Sequence, residues 1–252
     1  MRGALLIDLV GTLIDEQTDY ASLDAAMDAA RRHFGVPATA EELSGDFSLA
    51  LMEILQGEPN DDDANDDADE PSGNDFLPFE QAAKEIFAAV MQVRGVNVDA
   101  ADVDWWWSTF VAIQRRLIRL HPDALEALEW ARQDGWRIII ITDADDYLLH
   151  DVLTNTPLPP LWDAAITATQ AGAPKPSPRI FAAALKAAGQ PAYRCVMIGD
   201  NYERDIQGAQ AAGIHRAILI DRHHARTIHE VPVITSLTAL PAALARLEPS
   251  MN

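Results

Sequence analysis

Four short apolar runs mark this sequence, and a polar residue follows each run within two positions. The runs are Ala4–Ile7, Ile138–Ile141, Cys195–Ile198 and Ala217–Ile220. Because they are dominated by aliphatic residues and lack polar alternation, they predict strands that are covered on both faces of a sheet. The residues that follow them are Asp8, Thr142, Gly199 with Asp200, and Asp221.

Helical patterns lie between the later runs. Ile180, Phe181, Ala184 and Leu185, for example, recur at helical spacing before Gly189, which is a typical helix-ending residue. Strands that alternate with helices predict an α/β fold with a doubly wound parallel sheet. In such sheets ligands bind beyond the carboxyl ends of the strands, so the polar residues after the runs are candidates for a functional site.

A long interval separates the first predicted strand from the rest of the sheet. Its predicted helices are Tyr20–Phe34, Ala40–Leu55, Phe79–Val93 and Asp102–Leu120. The interval is too long for a crossover and too patterned for a loop. We therefore predict a helical domain at 16–120, inserted into an α/β core made of 1–15 and 121–252. Within it, residues from about 57 to 75 are acidic and poor in apolar side chains, which predicts a disordered loop.

Composition narrows the possible partners and location. The 252 residues carry 39 acidic and 19 basic side chains, a net charge of −20, which disfavours nucleic acid as a ligand. A single cysteine excludes an intramolecular disulfide, no apolar stretch is long enough to span a membrane, and Asp8 comes too early for a secretory signal. We expect a cytoplasmic monomer or homodimer that binds no membrane.

The polar residues near the strand ends form a set suited to phosphoryl transfer. Asp8 offers an attacking carboxylate, Thr142 a hydroxyl, Lys175 a cation, and Asp200 with Asp205 an acidic pair. Phosphoryl transfer needs an in-line attacking oxygen, a divalent cation on hard oxygen ligands, and donors that offset the phosphate charge.

With these motifs in this order, the sequence resembles the phosphatase-type branch of the haloacid dehalogenase-like hydrolase superfamily. The matching residues are Asp8, Gly11 and Thr12 for the first motif, Thr142 for the second, Lys175 within Lys175-Pro176-Ser177-Pro178-Arg179-Ile180-Phe181 for the third, and Gly199, Asp200 and Asp205 for the fourth. The resemblance covers 1–15 and 121–252 and implies a Rossmann-like core with a helical cap inserted between the first and second motifs.

The resemblance also implies roles for these residues. Asp8 is expected to become a phospho-aspartate, with Mg²⁺ held by Asp8, Asp200 and the backbone carbonyl of Val10, while Asp205 orients Lys175 or helps the metal site. The residues expected to bind the phosphate of a small phosphorylated metabolite are Gly11, Thr12, Thr142, Asp143 and Lys175, of which Thr142 and Lys175 also serve catalysis. Asp143, where the family often has Asn, adds a negative charge there unless its side chain points away.

Val10 is the main departure from the family pattern. The family's phosphatases have a second Asp at this position, which protonates the leaving oxygen and then activates water. Valine can do neither, and such catalysis typically contributes about 10²–10⁴-fold. The favoured interpretation is a magnesium-dependent phosphatase that is slow or limited to good leaving groups.

Two other interpretations stay open. One is another reaction of the superfamily: Asp200 argues against a dehalogenase, and a phosphonatase would need a cap lysine, for which Lys84 is the only candidate. The other is a catalytically impaired protein that still binds Mg²⁺ and phosphate and uses its cap for interactions.

Overall fold

The computed structural model describes residues 2–56, 76–223 and 230–247, so the predicted disordered loop at about 57–75 lies outside the described residues. Within these described ranges, six parallel strands form one sheet in the order β3-β2-β1-β4-β5-β6. Their bounds are β1 Gly3–Ile7, β2 Trp136–Thr142, β3 Ala164–Thr167, β4 Cys195–Gly199, β5 Ala217–Ile220 and β6 Val233–Ile234. The predicted parallel α/β fold is confirmed.

The helices of the described residues separate into two groups along the chain. Between β1 and β2 lie α1 Gln17–Phe34, α2 Ala40–Gln56, α3 Phe79–Val93, α4 Ala100–Leu117 and α5 Ala124–Gln133. After β3 come α6 Ala168–Ala171, α7 Pro178–Ala188, α8 Gly208–Ala211 and α9 Leu240–Leu247. In these described parts no helix has the length and apolar character that a membrane span requires.

The central strands lack polar alternation because both faces of the sheet are covered. Leu6 and Ile139 pack with Phe181 of α7 in one buried cluster. Leu5 and Ile138, which alternate with them, are also fully buried. The edge strands β3 and β6 were not predicted, because they are short and only partly buried.

The described chain divides into two compact units, Met1–Thr18 with Ile118–Asn252, and Asp19–Leu117. The divisions fall three residues from the expected boundaries at 15/16 and 120/121. The prediction that the last cap helix reaches Leu120 is wrong, because the chain is extended after Leu117. Leu120 forms a β-bridge with Ile14, and the Asp15 N–H donates to the Arg119 carbonyl at 3.0 Å.

The helical unit has a core of its own. Local sequence starts its helices, as in α2, where Thr39 and Glu42 form a reciprocal capping box. The buried residues of α3 recur every three or four positions, which gives the helix one apolar face. Phe87 on that face stacks on Trp106 of α4, with ring centroids 4.4 Å apart.

The strand order reverses between β1 and β4. From β1 the sheet extends through β2 to β3, and from β4 it extends the other way through β5 to β6. At such a switch point the connections diverge and leave a crevice beyond the carboxyl ends of the strands. Asp8 directly follows β1 and Asp200 directly follows β4, so the reversal brings these two acids together.

Candidate active site

Lys175 lies at the centre of the side chains gathered at the switch point. It is 4% exposed, and its Nζ donates to Oδ1 of Asp8 at 2.5 Å and to Oδ1 of Asp205 at 2.6 Å. Burial alone would lower the pKa of Lys175, but the carboxylates of Asp205 and Asp8 raise it above its usual value. The ammonium group is therefore charged at neutral pH.

Asp200 adds a third carboxylate beside the two that bind this ammonium. Oxygen atoms of Asp8, Asp200 and Asp205 lie within 4.8 Å of one another. Burial raises the pKa of Asp8, and Asp205 and Asp200 raise it further against the opposing charge of Lys175. Burial and the nearby Asp205 likewise raise the pKa of Asp200. These shifts arise because three ionised carboxylates would carry more negative charge than Lys175 alone can offset.

The donor set fits Mg²⁺. Oδ2 of Asp8 is buried and has no hydrogen-bond partner, and a buried carboxylate oxygen of this kind calls for a proton or a cation. Mg²⁺ takes oxygen ligands, typically from one or two carboxylates. Asp8 and Asp200 are suited to hold it. Asp205 is engaged at both oxygens, by Lys175 and by the Asn201 N–H at 3.0 Å, which favours a role in orienting Lys175.

Two glycines let the acidic side chains approach the backbone closely. Gly11 has φ +87°, a conformation that favours glycine, and a Cβ there would lie 2.5 Å from Oδ2 of Asp200. A Cβ on Gly199 would lie 2.2 Å from Oδ2 of Asp205. The glycines of the first and fourth motifs are therefore required by packing against the carboxylates.

Thr12 and Thr142 supply hydroxyl groups at the same edge of the sheet. The Thr12 hydroxyl donates to Oδ1 of Asp200 at 3.4 Å. Thr142 ends β2, next to β1, and its buried hydroxyl accepts from the Ala144 N–H at 3.2 Å. Since a hydroxyl that accepts keeps its own proton for donation, Thr142 can still bind an anion. Phosphate binding by Gly11, Thr12 and Thr142 stays a prediction.

The side chain of Asp143 points toward Lys175. Its Oδ1 accepts from the Lys175 backbone N–H at 2.6 Å, and its Oδ2 pairs with the guanidinium of Arg204. The Nε of Arg204 also donates to the Lys175 carbonyl at 3.4 Å. Sequence reasoning gave Arg204 no role. The available signal was a cation directly before Asp205, inside the fourth motif.

The loop of the first motif is fixed from two sides. The Leu13 and Ile14 N–H groups donate to the Leu9 carbonyl at 2.9 and 2.8 Å, which closes the turn that contains Val10. From the other side, Arg222 donates to the Thr12 carbonyl at 2.6 Å and forms two hydrogen bonds with Asp123, each 3.0 Å long. Sequence reasoning missed this pair. A metal contact by the Val10 carbonyl stays a prediction.

The fold and this site define a class of protein: a doubly wound α/β protein with a carboxylate–lysine centre at the switch point of its sheet. A family model described as haloacid dehalogenase-like hydrolase matches residues 3–213. The chain belongs to this family, as the four motifs predicted.

Curated relatives include phosphatases. The chain is 33% identical over 109 residues to the phosphoserine phosphatase of Thermus thermophilus, an alignment that covers 43% of each protein. It is 32% identical over 128 residues to haloacid dehalogenase-like hydrolase domain-containing protein 3 of Mus musculus, covering 49% of this chain and 51% of the mouse protein. The chain thus spans about half the length of these relatives.

Solved structures show the fold over nearly the whole chain. A 2-haloacid dehalogenase from Pseudomonas syringae superposes with a TM-score of 0.71 at 24% identity, covering 98% of this chain and all of the other. The HAD-hydrolase YfnB from Bacillus subtilis, solved with magnesium, gives a TM-score of 0.70 at 18% identity, covering 97% and 99%. At these identities the similarity establishes the fold alone.

Proposed function

We propose that the protein is a magnesium-dependent phosphatase that hydrolyses a small phosphomonoester through a phospho-aspartate at Asp8. The observation that carries the proposal is the buried Asp8–Lys175–Asp205 chain beside Asp200 at the switch point. It offers an attacking carboxylate oxygen, a fixed cation and a site for a divalent ion, which are the parts that phosphoryl transfer needs.

In the proposed first step a carboxylate oxygen of Asp8 attacks the phosphorus, and the bond from phosphorus to the leaving oxygen breaks. Lys175 holds Asp8 in place and, with the Thr142 hydroxyl, donates hydrogen bonds to the phosphate oxygens. When bound by Asp8 and Asp200, Mg²⁺ supplies positive charge that offsets the charge of the phosphate. Water then cleaves the acyl phosphate, which releases inorganic phosphate and restores the Asp8 carboxylate.

Proton transfer is the weak part of this mechanism. The leaving oxygen needs a proton unless it is stable as an anion, and the attacking water must lose one. Val10 can serve neither transfer, so both protons pass to or from solvent. Because general acid–base catalysis is typically worth about 10²–10⁴-fold, we expect slow turnover and a preference for aryl over alkyl phosphates.

The surroundings of Lys84 disfavour a phosphonatase. An imine-forming lysine must lose its proton, which burial or a cationic neighbour promotes. Lys84 instead pairs with Glu80 at 2.9 Å and with Asp104 at 3.0 Å. Hydrogen bonds to these two acids raise the pKa of Lys84. An impaired protein that only binds Mg²⁺ and phosphate is the alternative that Val10 supports.

The test is phosphate release from p-nitrophenyl phosphate and from an alkyl phosphate, with Mg²⁺ and with EDTA. We expect metal-dependent turnover of the aryl ester, lost in Asp8→Asn. Val10→Asp should speed alkyl ester hydrolysis, whereas the matched variant Val10→Asn, which has a similar shape but no acid, should not.

The outcomes separate the candidates. Equal gains from Val10→Asp and Val10→Asn would contradict the account of proton transfer. An absence of turnover in the wild type and in Val10→Asp, together with Mg²⁺-dependent binding of orthovanadate, would favour the binding protein.

A further inference from the structure

Arg204 and Asp143 together enclose the main chain of Lys175. Asp143 accepts from the Lys175 N–H at 2.6 Å, while Arg204 donates to the Lys175 carbonyl at 3.4 Å. The two side chains also form an ion pair with each other. The ring of contacts joins three segments that are far apart in sequence: the end of β2, the turn before α7, and the segment after β4.

The position of Arg204 is itself fixed. Its backbone N–H donates to the Asn201 side chain at 3.0 Å, which caps the helical turns at Tyr202–Gln207. The next residue, Asp205, is the one that binds the Lys175 ammonium. One short segment therefore holds Lys175 at two places, by its carbonyl through Arg204 and by its Nζ through Asp205.

The negative charge of Asp143 would oppose the binding of an anion, and the ion pair with Arg204 offsets it. Its Oδ2 lies 3.9 Å from the Lys175 Nζ, so the carboxylate is close to the cation that would bind a phosphate. An uncompensated carboxylate there would repel a bound anion and compete for Lys175. Arg204 pairs with that same oxygen and supplies the opposite charge.

We propose that Arg204 is a positioning residue that cancels the charge of Asp143 and fixes the Lys175 main chain, so that the site keeps its affinity for a phosphate group. This inference rests on the proposed phosphatase function. In this proposal Asp143 helps the site through its hydrogen bond to the Lys175 backbone. Its negative charge would weaken phosphate binding if Arg204 were absent.

The test measures Mg²⁺-dependent binding of orthovanadate and inorganic phosphate by calorimetry. Arg204→Gln should weaken phosphate binding about tenfold, because it leaves Asp143 uncompensated. Asp143→Asn keeps an acceptor for the Lys175 N–H and should bind phosphate at least as tightly as the wild type. The double variant should therefore regain affinity relative to Arg204→Gln. Arg246→Gln, at an exposed arginine of α9, is the matched control and should change nothing.

Recovery in the double variant separates charge compensation from a purely structural role, which would leave the double variant as weak as Arg204→Gln or weaker. Two results would overturn this inference but not the proposed function, provided that the wild type binds phosphate. One is an Arg204→Gln variant whose phosphate affinity equals that of the wild type, and the other is a double variant whose affinity does not rise above that of Arg204→Gln. Wild-type protein that binds neither vanadate nor phosphate would overturn the proposed function, and the role of Arg204 with it.

Discussion

The Asp123–Arg222 pair predicts a specific dependence of stability on pH. The two side chains are only 10% and 13% exposed. Asp123 also accepts from the Ser236 hydroxyl at 2.6 Å and from the Leu237 N–H at 2.8 Å. Burial alone would raise the pKa of Asp123, but Arg222, Ser236 and Leu237 lower it to about 2, from an ordinary value near 3.8.

The size of the effect follows from this pKa. One pKa unit corresponds to about 1.4 kcal/mol, so lowering the pKa of Asp123 from 3.8 to about 2 stabilises the fold by about 2–3 kcal/mol. Screening by solvent reduces this contribution to the free energy of unfolding to about 2 kcal/mol. Because the pKa is lowered on folding, this contribution is complete above about pH 5 and is lost as the pH falls through 4 toward 2. Neutralising the side chain in Asp123→Asn should remove it at neutral pH.

The assay is urea unfolding of wild type and Asp123→Asn between pH 7 and pH 2.5. Charge effects common to both proteins cancel in the difference. We expect the wild type to be more stable by about 2 kcal/mol at pH 7 and the gap to shrink steadily below about pH 5. Asp24→Asn, at an exposed aspartate, is the control. A gap that is as large at pH 2.5 as at pH 7 would refute the linkage argument.

Four further predictions follow from packing and charge. Gly11→Ala should abolish Mg²⁺-dependent activity in assays of phosphate release, because its Cβ would lie 2.5 Å from Oδ2 of Asp200. Lys175→Met should eliminate orthovanadate binding measured by calorimetry, since it removes the ammonium between Asp8 and Asp205. Trp106→Ala should lower the free energy of unfolding of the helical unit by about 3–5 kcal/mol in urea, because Trp106 is buried against Phe87. In stopped-flow assays with p-nitrophenyl phosphate, release of the aryl anion should show a burst of about one equivalent per enzyme, because Val10 leaves water attack on the phospho-aspartate without a base, and Val10→Asp should shrink the burst.

The features that could be predicted from the sequence are those that a local pattern of apolar and polar residues encodes. The four inner strands were predictable because both of their faces are buried, and the ends of three of them located Asp8, Thr142 and Asp200. The edge strands were not, because Ala164–Thr167 is only partly buried and Val233–Ile234 is two residues long. Long-range pairs were equally hidden: Arg204 meets Asp143 across 61 positions, and Arg222 meets Asp123 across 99. Such pairs depend on how the strands are ordered, which local sequence does not encode.

Two departures from the family pattern, Asp143 and Val10, differ in a way that bears on function. The extra charge of Asp143 is matched by Arg204, and the Lys175 main chain is held between them. Val10 has an aliphatic side chain with no exchangeable proton. A charged neighbour can offset the charge of Asp143, but it cannot give valine a proton to transfer. Under the proposed function, the ammonium that Asp8 and Asp205 hold would serve phosphate binding, and Arg204 would protect that role from the charge of Asp143. Val10 would then impair proton transfer without weakening the binding of the anion.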